Sequence, residues 1–264
     1  MTQAVFVLSN AWFYTRDIRW KKAACEHLDA WFVDEQTRMN PSLTYAQQIP
    51  GICNGRDIGI IDTNSFIDLI DSAILLDYQH IDLLKAWFAE YLIWLKTSEN
   101  GKGECSQGNN HGLWYDTQVM AFAAFTGDTK TVKETEKSFE SRLDYQVAPD
   151  GSFPKELART RSVMYSLFAL RASFYANTLA KSCGCGFLGE KWKKCFDFIL
   201  PFVSGEKDWE FEQIDNVAPH NKALSMRFAA DIYGDSEYLS AADKLYKEND
   251  PLTYNFRFPI KQKG

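Results

Sequence analysis

Apolar positions recur along most of the chain with a period near 3.6 residues, whereas the alternation typical of strands is scarce. This period predicts an almost entirely helical protein. Gly127-Asp128 and Gly234-Asp235 each separate two periodic segments, as a C-cap glycine followed by an N-cap aspartate would. The predicted helices cover residues 4–14, 20–33, 64–77, 80–96, 112–125, 129–147, 160–181, 188–203, 219–233 and 236–247. Successive helical hairpins favour a solenoid or a closed toroid, and the pattern leaves both open.

Two stretches interrupt the helical period, residues 34–62 and residues 97–111. Both are rich in the glycine, proline and asparagine that end helices and form turns. We therefore predict two long loops, at the same end of the helical array. Long loops within a compact domain commonly carry function.

The composition excludes several classes of protein. Of 264 residues, 45% are hydrophobic and 24% charged, which suits a folded core. The net charge of −6, without a basic run, disfavours binding to nucleic acid. No apolar run reaches the roughly eighteen residues of a membrane span, and no signal peptide is evident at the start of the chain. Neither the six cysteines nor the four histidines have the spacing of a metal site, so the thiols are expected to be structural.

Reactive side chains are concentrated in two segments. Asn-Asn-His-Gly-Leu-Trp-Tyr-Asp, residues 109–116, places an imidazole after two amides and before an aromatic pair. Glu-Leu-Ala-Arg-Thr-Arg-Ser-Val-Met-Tyr, residues 156–165, supplies two guanidinium groups and a phenol. His111 falls at a loop-to-helix boundary, where an imidazole is suited to act as a general base. A structural role for this histidine is the alternative interpretation.

The two arginines of the second segment are both candidates for a cleft. Arg161 and Tyr165 are spaced i, i+4 and would share one face of the predicted helix, where a cation favours phenolate. Arg159 stands at the predicted start of the helix and can reach outward. Tyr165 as a core aromatic and the arginines as a solvated helix end are the structural alternatives.

Together these groups suit β-elimination on a uronic-acid polymer. Removal of the C5 proton of a uronate builds negative charge on the adjoining carboxylate, which an amide and a guanidinium stabilise. A base takes the proton, and an acid protonates the O4 leaving group. In β-mannuronate and β-glucuronate the C5 proton and O4 lie on one face of the ring, so one tyrosine can serve both steps.

The two motifs resemble those of the alginate lyase superfamily of polysaccharide lyases, in its branch acting on mannuronate or glucuronate polymers. Residues 38–51 and 55–62 resemble the same family. The resemblance implies an all-α fold, an (α/α) toroid or incomplete barrel of helical hairpins. It implies that Asn110 contacts the substrate carboxylate, that His111 is the base or neutralises the carboxylate, and that Tyr165 is the acid and also a candidate base. Arg159 matches the family arginine, and the candidate substrate-binding residues are Arg56, Trp114, Tyr115 and Arg161.

The resemblance also implies an acidic polysaccharide substrate, no metal or cofactor, and a secreted or periplasmic location. Family members usually carry further residues at the beginning. Residues 1–264 are therefore expected to form a single lyase-like toroid domain that lacks the N-terminal part. Two other functions stay open. One is a non-catalytic carbohydrate-binding remnant of such a lyase, and the other is an (α/α) glycoside hydrolase using two of Asp62, Asp116 and Glu156.

Overall fold

The computed structural model describes residues 1–186 and 189–249. In these ranges the backbone is helical, with two isolated β-bridges and no strand, so the prediction of an all-α protein is confirmed. No helix of the described ranges is long and apolar enough to cross a membrane. The helices are α1 (Thr2–Thr15), α2 (Ile18–Leu28), α3 (Phe66–Leu75), α4 (Ile81–Thr97), α5 (Glu99–Cys105), α6 (Asn110–Thr126), α7 (Thr129–Gln146), α8 (Pro154–Leu157), α9 (Ser162–Ser182), α10 (Glu190–Val203), α11 (Pro219–Tyr233) and α12 (Ser236–Asn249).

Both predicted loops contain helix that the sequence did not reveal. The first predicted loop ends in a 3₁₀ helix, Asp57–Ser65. Before that loop, a π-helical turn, Asp29–Val33, extends α2 to the end predicted for this helix. The prediction of a continuous loop over residues 97–111 is wrong, because α5 lies within it. The start predicted for α10, residue 188, lies outside the described residues.

The glycines that indicated a loop in residues 97–111 are required by close packing. A Cβ on Gly101 would lie 1.8 Å from the carbonyl oxygen of Leu95, and one on Gly103 would lie 2.5 Å from an Asp57 carboxylate oxygen. The side chain of Ser98 caps α5 by accepting the Gly101 N–H at 3.0 Å. At these two positions glycine allows neighbouring segments to approach α5 closely, and it does not form a turn.

The chain forms two compact units, and the first comprises residues 1–107 and 114–135. Its core is built on aromatic rings in edge and tilted contact. The ring centroids of Phe32 and Trp87 are 4.8 Å apart, and those of Phe88 and Phe122 are 4.9 Å apart. The aromatic surplus of the sequence therefore serves packing in this unit.

The second unit comprises residues 108–113 and the described residues from 136 onward. The rings of Phe174 on α9 and Phe228 on α11 stack in parallel with centroids 3.6 Å apart. Gly234 ends α11 in the left-handed conformation, with φ at 69°, and Asp235 then accepts the Glu237 N–H at 2.9 Å. The predicted Gly-Asp boundary between α11 and α12 is thus confirmed.

All six cysteines lie within the described residues and are thiols rather than disulfides. Burial raises the pKa of the Cys195 thiol on α10 to about 12, so this residue packs as a small apolar side chain.

Candidate active site

Within the second unit, the carboxylate of Glu156 joins the first residues of α6 to the segment 156–165. This residue belongs to α8 and is 1% exposed. Its Oε1 accepts the backbone N–H of Asn110 at 2.6 Å, and its Oε2 accepts from the Asn110 side-chain nitrogen at 2.8 Å. The carboxylate therefore caps the N-terminus of α6, where the unpaired N–H groups of a helix attract negative charge.

Opposing influences act on the charge of Glu156. Burial raises the pKa of its carboxyl above the ordinary value, and this effect is the largest. The hydrogen bonds from Asn110 and the electrostatic influence of Arg159 and His111 act in the lowering direction. The charged form of Glu156 thus depends on the same three residues that the sequence singled out.

Arg159 and Tyr165 are in direct contact. The guanidinium carbon of Arg159 lies over the Tyr165 ring, 4.0 Å from its centroid, in a cation–π arrangement. Arg159 stands in the link between α8 and α9, and Tyr165 lies in the first turn of α9. Both side chains are partly exposed. The guanidinium and the phenol are therefore presented together at one helix start.

The four residues proposed from the sequence as catalytic thus belong to one set of interactions within the second unit. Asn110 donates a hydrogen bond to Glu156. His111 and Arg159 influence the Glu156 carboxyl electrostatically. Arg159 also forms the cation–π contact with Tyr165. The set contains an amide, an imidazole, a guanidinium and a phenol beside a buried carboxylate. The catalytic roles of these residues stay predictions.

Arg161 has a different environment from the one that helical spacing predicted. Helix α9 begins at Ser162, and Arg161 precedes it with φ at −125° and ψ at 51°. The i, i+4 argument therefore does not apply to this residue. Its guanidinium forms an ion pair with Asp215 at 2.6 Å, and its side chain is 45% exposed.

The other predicted substrate-binding residues lie in the first unit. Arg56 uses its guanidinium to hold a loop, donating from Nε to the carbonyl of Gln47 at 3.2 Å and from Nη2 to its side-chain oxygen at 2.7 Å. Trp114 and Tyr115 are 1% and 7% exposed, and the Tyr115 hydroxyl donates to the carbonyl of Leu95 at 3.0 Å. Contacts of these three residues with substrate stay predictions.

The sequence did not predict the contacts of two residues at the site. It indicated Glu156 as a candidate carboxylate of a glycoside hydrolase, and it did not relate this residue to Asn110. Gln213, whose side chain meets the start of α9, carries no motif. The sequence Pro154-Lys155-Glu156 is typical of a helix start, and this pattern could have drawn attention to Glu156. Nothing in the sequence relates Gln213 to α9.

Comparisons with known proteins concern the family and the fold of the chain. A family model described as alginate lyase matches residues 1–209. The structure is similar to a crystal structure of an alginate lyase from Bacteroides ovatus, with 28% sequence identity and a TM-score of 0.90. The match covers 99% of this chain and 73% of that chain, and it confirms the (α/α) toroid class of helical hairpins. No curated protein sequence matches the chain.

Proposed function

The chain belongs to the alginate lyase family and is a polysaccharide lyase, and on this premise we propose that it cleaves a uronic-acid polymer by metal-independent β-elimination. The observation that carries the proposal is the contact of Arg159 with Tyr165 beside the Asn110–Glu156 pair. This set offers cationic and amide donors for a carboxylate next to an acid suited to a leaving oxygen.

The proposed roles follow the movement of charge during elimination. Arg159 and Asn110 stabilise the substrate carboxylate as the C5–H bond breaks and negative charge spreads onto its oxygens. The electron pair then forms the C4–C5 double bond while the C4–O4 bond breaks. The Tyr165 hydroxyl donates its proton to O4, so that one chain end leaves with a free hydroxyl.

The base that takes the C5 proton is His111 or Tyr165 itself in its phenolate form. The Arg159 guanidinium, 4.0 Å from the centre of the Tyr165 ring, places the phenol beside the group that would hold the substrate carboxylate. In mannuronan and glucuronan, where the C5 proton and O4 share one face, Tyr165 can serve as base and then as acid. We propose this class of substrate, and an extracellular or periplasmic place of action.

The experiment compares mannuronan, guluronan and glucuronan and follows the ultraviolet absorbance of the unsaturated product. We expect product from mannuronan or glucuronan, also in the presence of a chelator. Tyr165→Phe should lower turnover by about 10²–10⁴, because it removes the general acid. Tyr145→Phe, at a 59% exposed tyrosine of the same unit, is the matched control and should leave turnover unchanged. Binding of a polyuronate without cleavage by the unaltered chain would instead favour a carbohydrate-binding role.

A further inference from the structure

The start of α9 is held by a segment from much later in the chain. Residues 209–215, here called the capping segment, lie between α10 and α11 and carry no helix. The Ser162 N–H donates to the carbonyl of Glu212 at 3.2 Å, and the Ile214 N–H donates to the carbonyl of Thr160 at 2.9 Å. The capping segment therefore pairs with the residues on either side of Arg161, as a short antiparallel bridge.

Side chains complete the attachment. The Gln213 side-chain oxygen accepts the Val163 N–H at 2.9 Å. The Ser162 hydroxyl donates to the Glu212 carbonyl at 2.6 Å and accepts from the Trp209 indole N–H at 2.7 Å. The first two N–H groups of α9 are thus both satisfied by residues 212–213.

This attachment is needed because α9 has no local cap. The N-cap residue is Arg161, which has only donors in its side chain and makes no capping bond. The first hydrogen bond that closes the helix runs from the Tyr165 N–H to the Arg161 carbonyl at 3.0 Å. Tyr165 therefore lies in the turn that frays first when the N–H groups before it lose their acceptors.

We propose that Gln213 is a positioning residue for Tyr165. Its side-chain oxygen fixes the first turn of α9, and that turn sets the place of the phenol under the Arg159 guanidinium. The effect of Gln213 on turnover rests on the proposed function, whereas its effect on the position of the Tyr165 phenol rests on geometry alone. Residues 210–215 lie beyond the part of the chain that the family model matches, so this role is not a feature of the matched motifs.

Gln213 is itself held in a defined orientation. Its side-chain nitrogen donates to the backbone carbonyl and to the carboxylate of Asp215, both at 2.8 Å. Asp215 in turn pairs with Arg161 at 2.6 Å. Because the nitrogen is committed to Asp215, the oxygen is directed to Val163, and the capping segment closes around Arg161.

The test uses the full chain and three substitutions. Gln213→Ala removes the acceptor, Gln213→Asn retains an amide that can accept from Val163 and donate to Asp215, and Ser162→Ala removes the second attachment with little change in volume. Gln36→Ala, at an exposed glutamine of the first unit, is the matched control. Turnover and KM are measured on the polymer that the unaltered chain cleaves. In parallel, the ring signal of Tyr165 is followed by NMR after labelling of the tyrosine ζ carbon with ¹³C, and is assigned by its loss in Tyr165→Phe.

We expect Gln213→Ala to lower kcat about tenfold with KM within about twofold, because misplacement of a catalytic group affects the chemical step. The Tyr165 signal should shift or broaden in Gln213→Ala and in Ser162→Ala, should change less in Gln213→Asn, and should stay at its original position in Gln36→Ala. Gln213→Asn should recover part of the turnover, because it keeps an amide acceptor and an amide donor.

An unchanged Tyr165 signal in Gln213→Ala would overturn the proposal, as would a turnover of Gln213→Ala equal to that of Gln36→Ala. If Gln213→Ala does not fold, Ser162→Ala and Gln213→Asn decide by the same signal. Absence of product from every polymer with the unaltered chain would refute the proposed function, and the NMR comparison would still decide the positioning role.

Discussion

The two helices on which Asn110, His111 and Tyr165 lie begin differently from three helices that carry no candidate catalytic residue. Helices α2, α5 and α7 are capped by the residue that precedes them, since Asp17, Ser98 and Asp128 accept the N–H of Arg19, Gly101 and Thr131, each at 3.0 Å. Helices α6 and α9 are capped from a distance, by Glu156 and Gln213. A local cap satisfies N–H groups at the start of its own helix. A distant cap does the same and also fixes that helix to another segment of the chain.

The two distant caps differ in charge, and their surroundings explain the difference. Glu156 is close enough to Arg159 and His111 for their charges to act on it, so a carboxylate is balanced there. Gln213 bonds to the carboxylate of Asp215, and a second carboxylate at that position would be repelled. The charged cap also contributes to the electrostatics of the site, whereas the neutral cap contributes position alone.

The largest effect that separates the two kinds of cap is expected at Glu156. Glu156→Ala should lower turnover by about 10²-fold, because it releases Asn110 and removes the negative charge facing Arg159 and His111. Glu156→Gln, which keeps one acceptor, should lose less. Steady-state kinetics on the cleaved polymer measures both. Turnover of Glu156→Ala within a few-fold of the unaltered chain would show that the distant charged cap has no catalytic importance.

The second largest loss of turnover is expected for Gln213→Ala, with kcat lowered about tenfold. The loss should be smaller than for Glu156→Ala, because Gln213→Ala disturbs the placement of the Tyr165 phenol and leaves the charges of the site intact. Measurement of both variants on the same substrate tests the order. A larger loss at Gln213 than at Glu156 would reverse the interpretation of the two caps.

The pH dependence of stability should have opposite signs at a distant cap and a local cap. The Glu156 carboxyl has its pKa raised by burial, so its contribution is fully present below its ordinary value of 4.5 and is lost as pH rises through the folded pKa. The hydroxyl and N–H of Thr131 lower the pKa of Asp128, so its contribution is present above 3.8 and is lost as pH falls through the folded pKa.

Denaturant unfolding of Glu156→Gln and Asp128→Asn from acid to neutral pH tests this contrast. As pH rises, the unaltered chain should lose stability relative to Glu156→Gln and gain stability relative to Asp128→Asn. Parallel profiles of the two variants against the unaltered chain would contradict it.

The smallest effect on function is expected at the local cap. Asp128→Ala should lower the free energy of unfolding by about 1 kcal/mol, the usual contribution of an N-cap side chain. Its turnover should remain within about twofold of the unaltered chain, since Asp128 only starts α7. Thermal unfolding and kinetics on one preparation measure both quantities. A marked loss of kcat here would remove the distinction between local and distant caps.

The sequence by itself determined what depends on neighbouring residues. The period of apolar positions located α11 at residues 219–233, and the Gly-Asp pair located its boundary with α12, because helix periodicity and capping involve residues a few positions apart. The motifs likewise indicated the family, and the comparisons bear this out.

Tertiary structure decided what depends on residues that are distant in the chain. It turned Gly101 and Gly103 from loop signals into packing positions of α5, since the atoms they avoid belong to other segments. It placed Arg159 rather than Arg161 over Tyr165, and it brought Glu156 and Gln213 to the starts of α6 and α9. The physical reason is that an unpaired N–H group at a helix start donates to any suitably placed oxygen, and only the folded chain determines which oxygen that is.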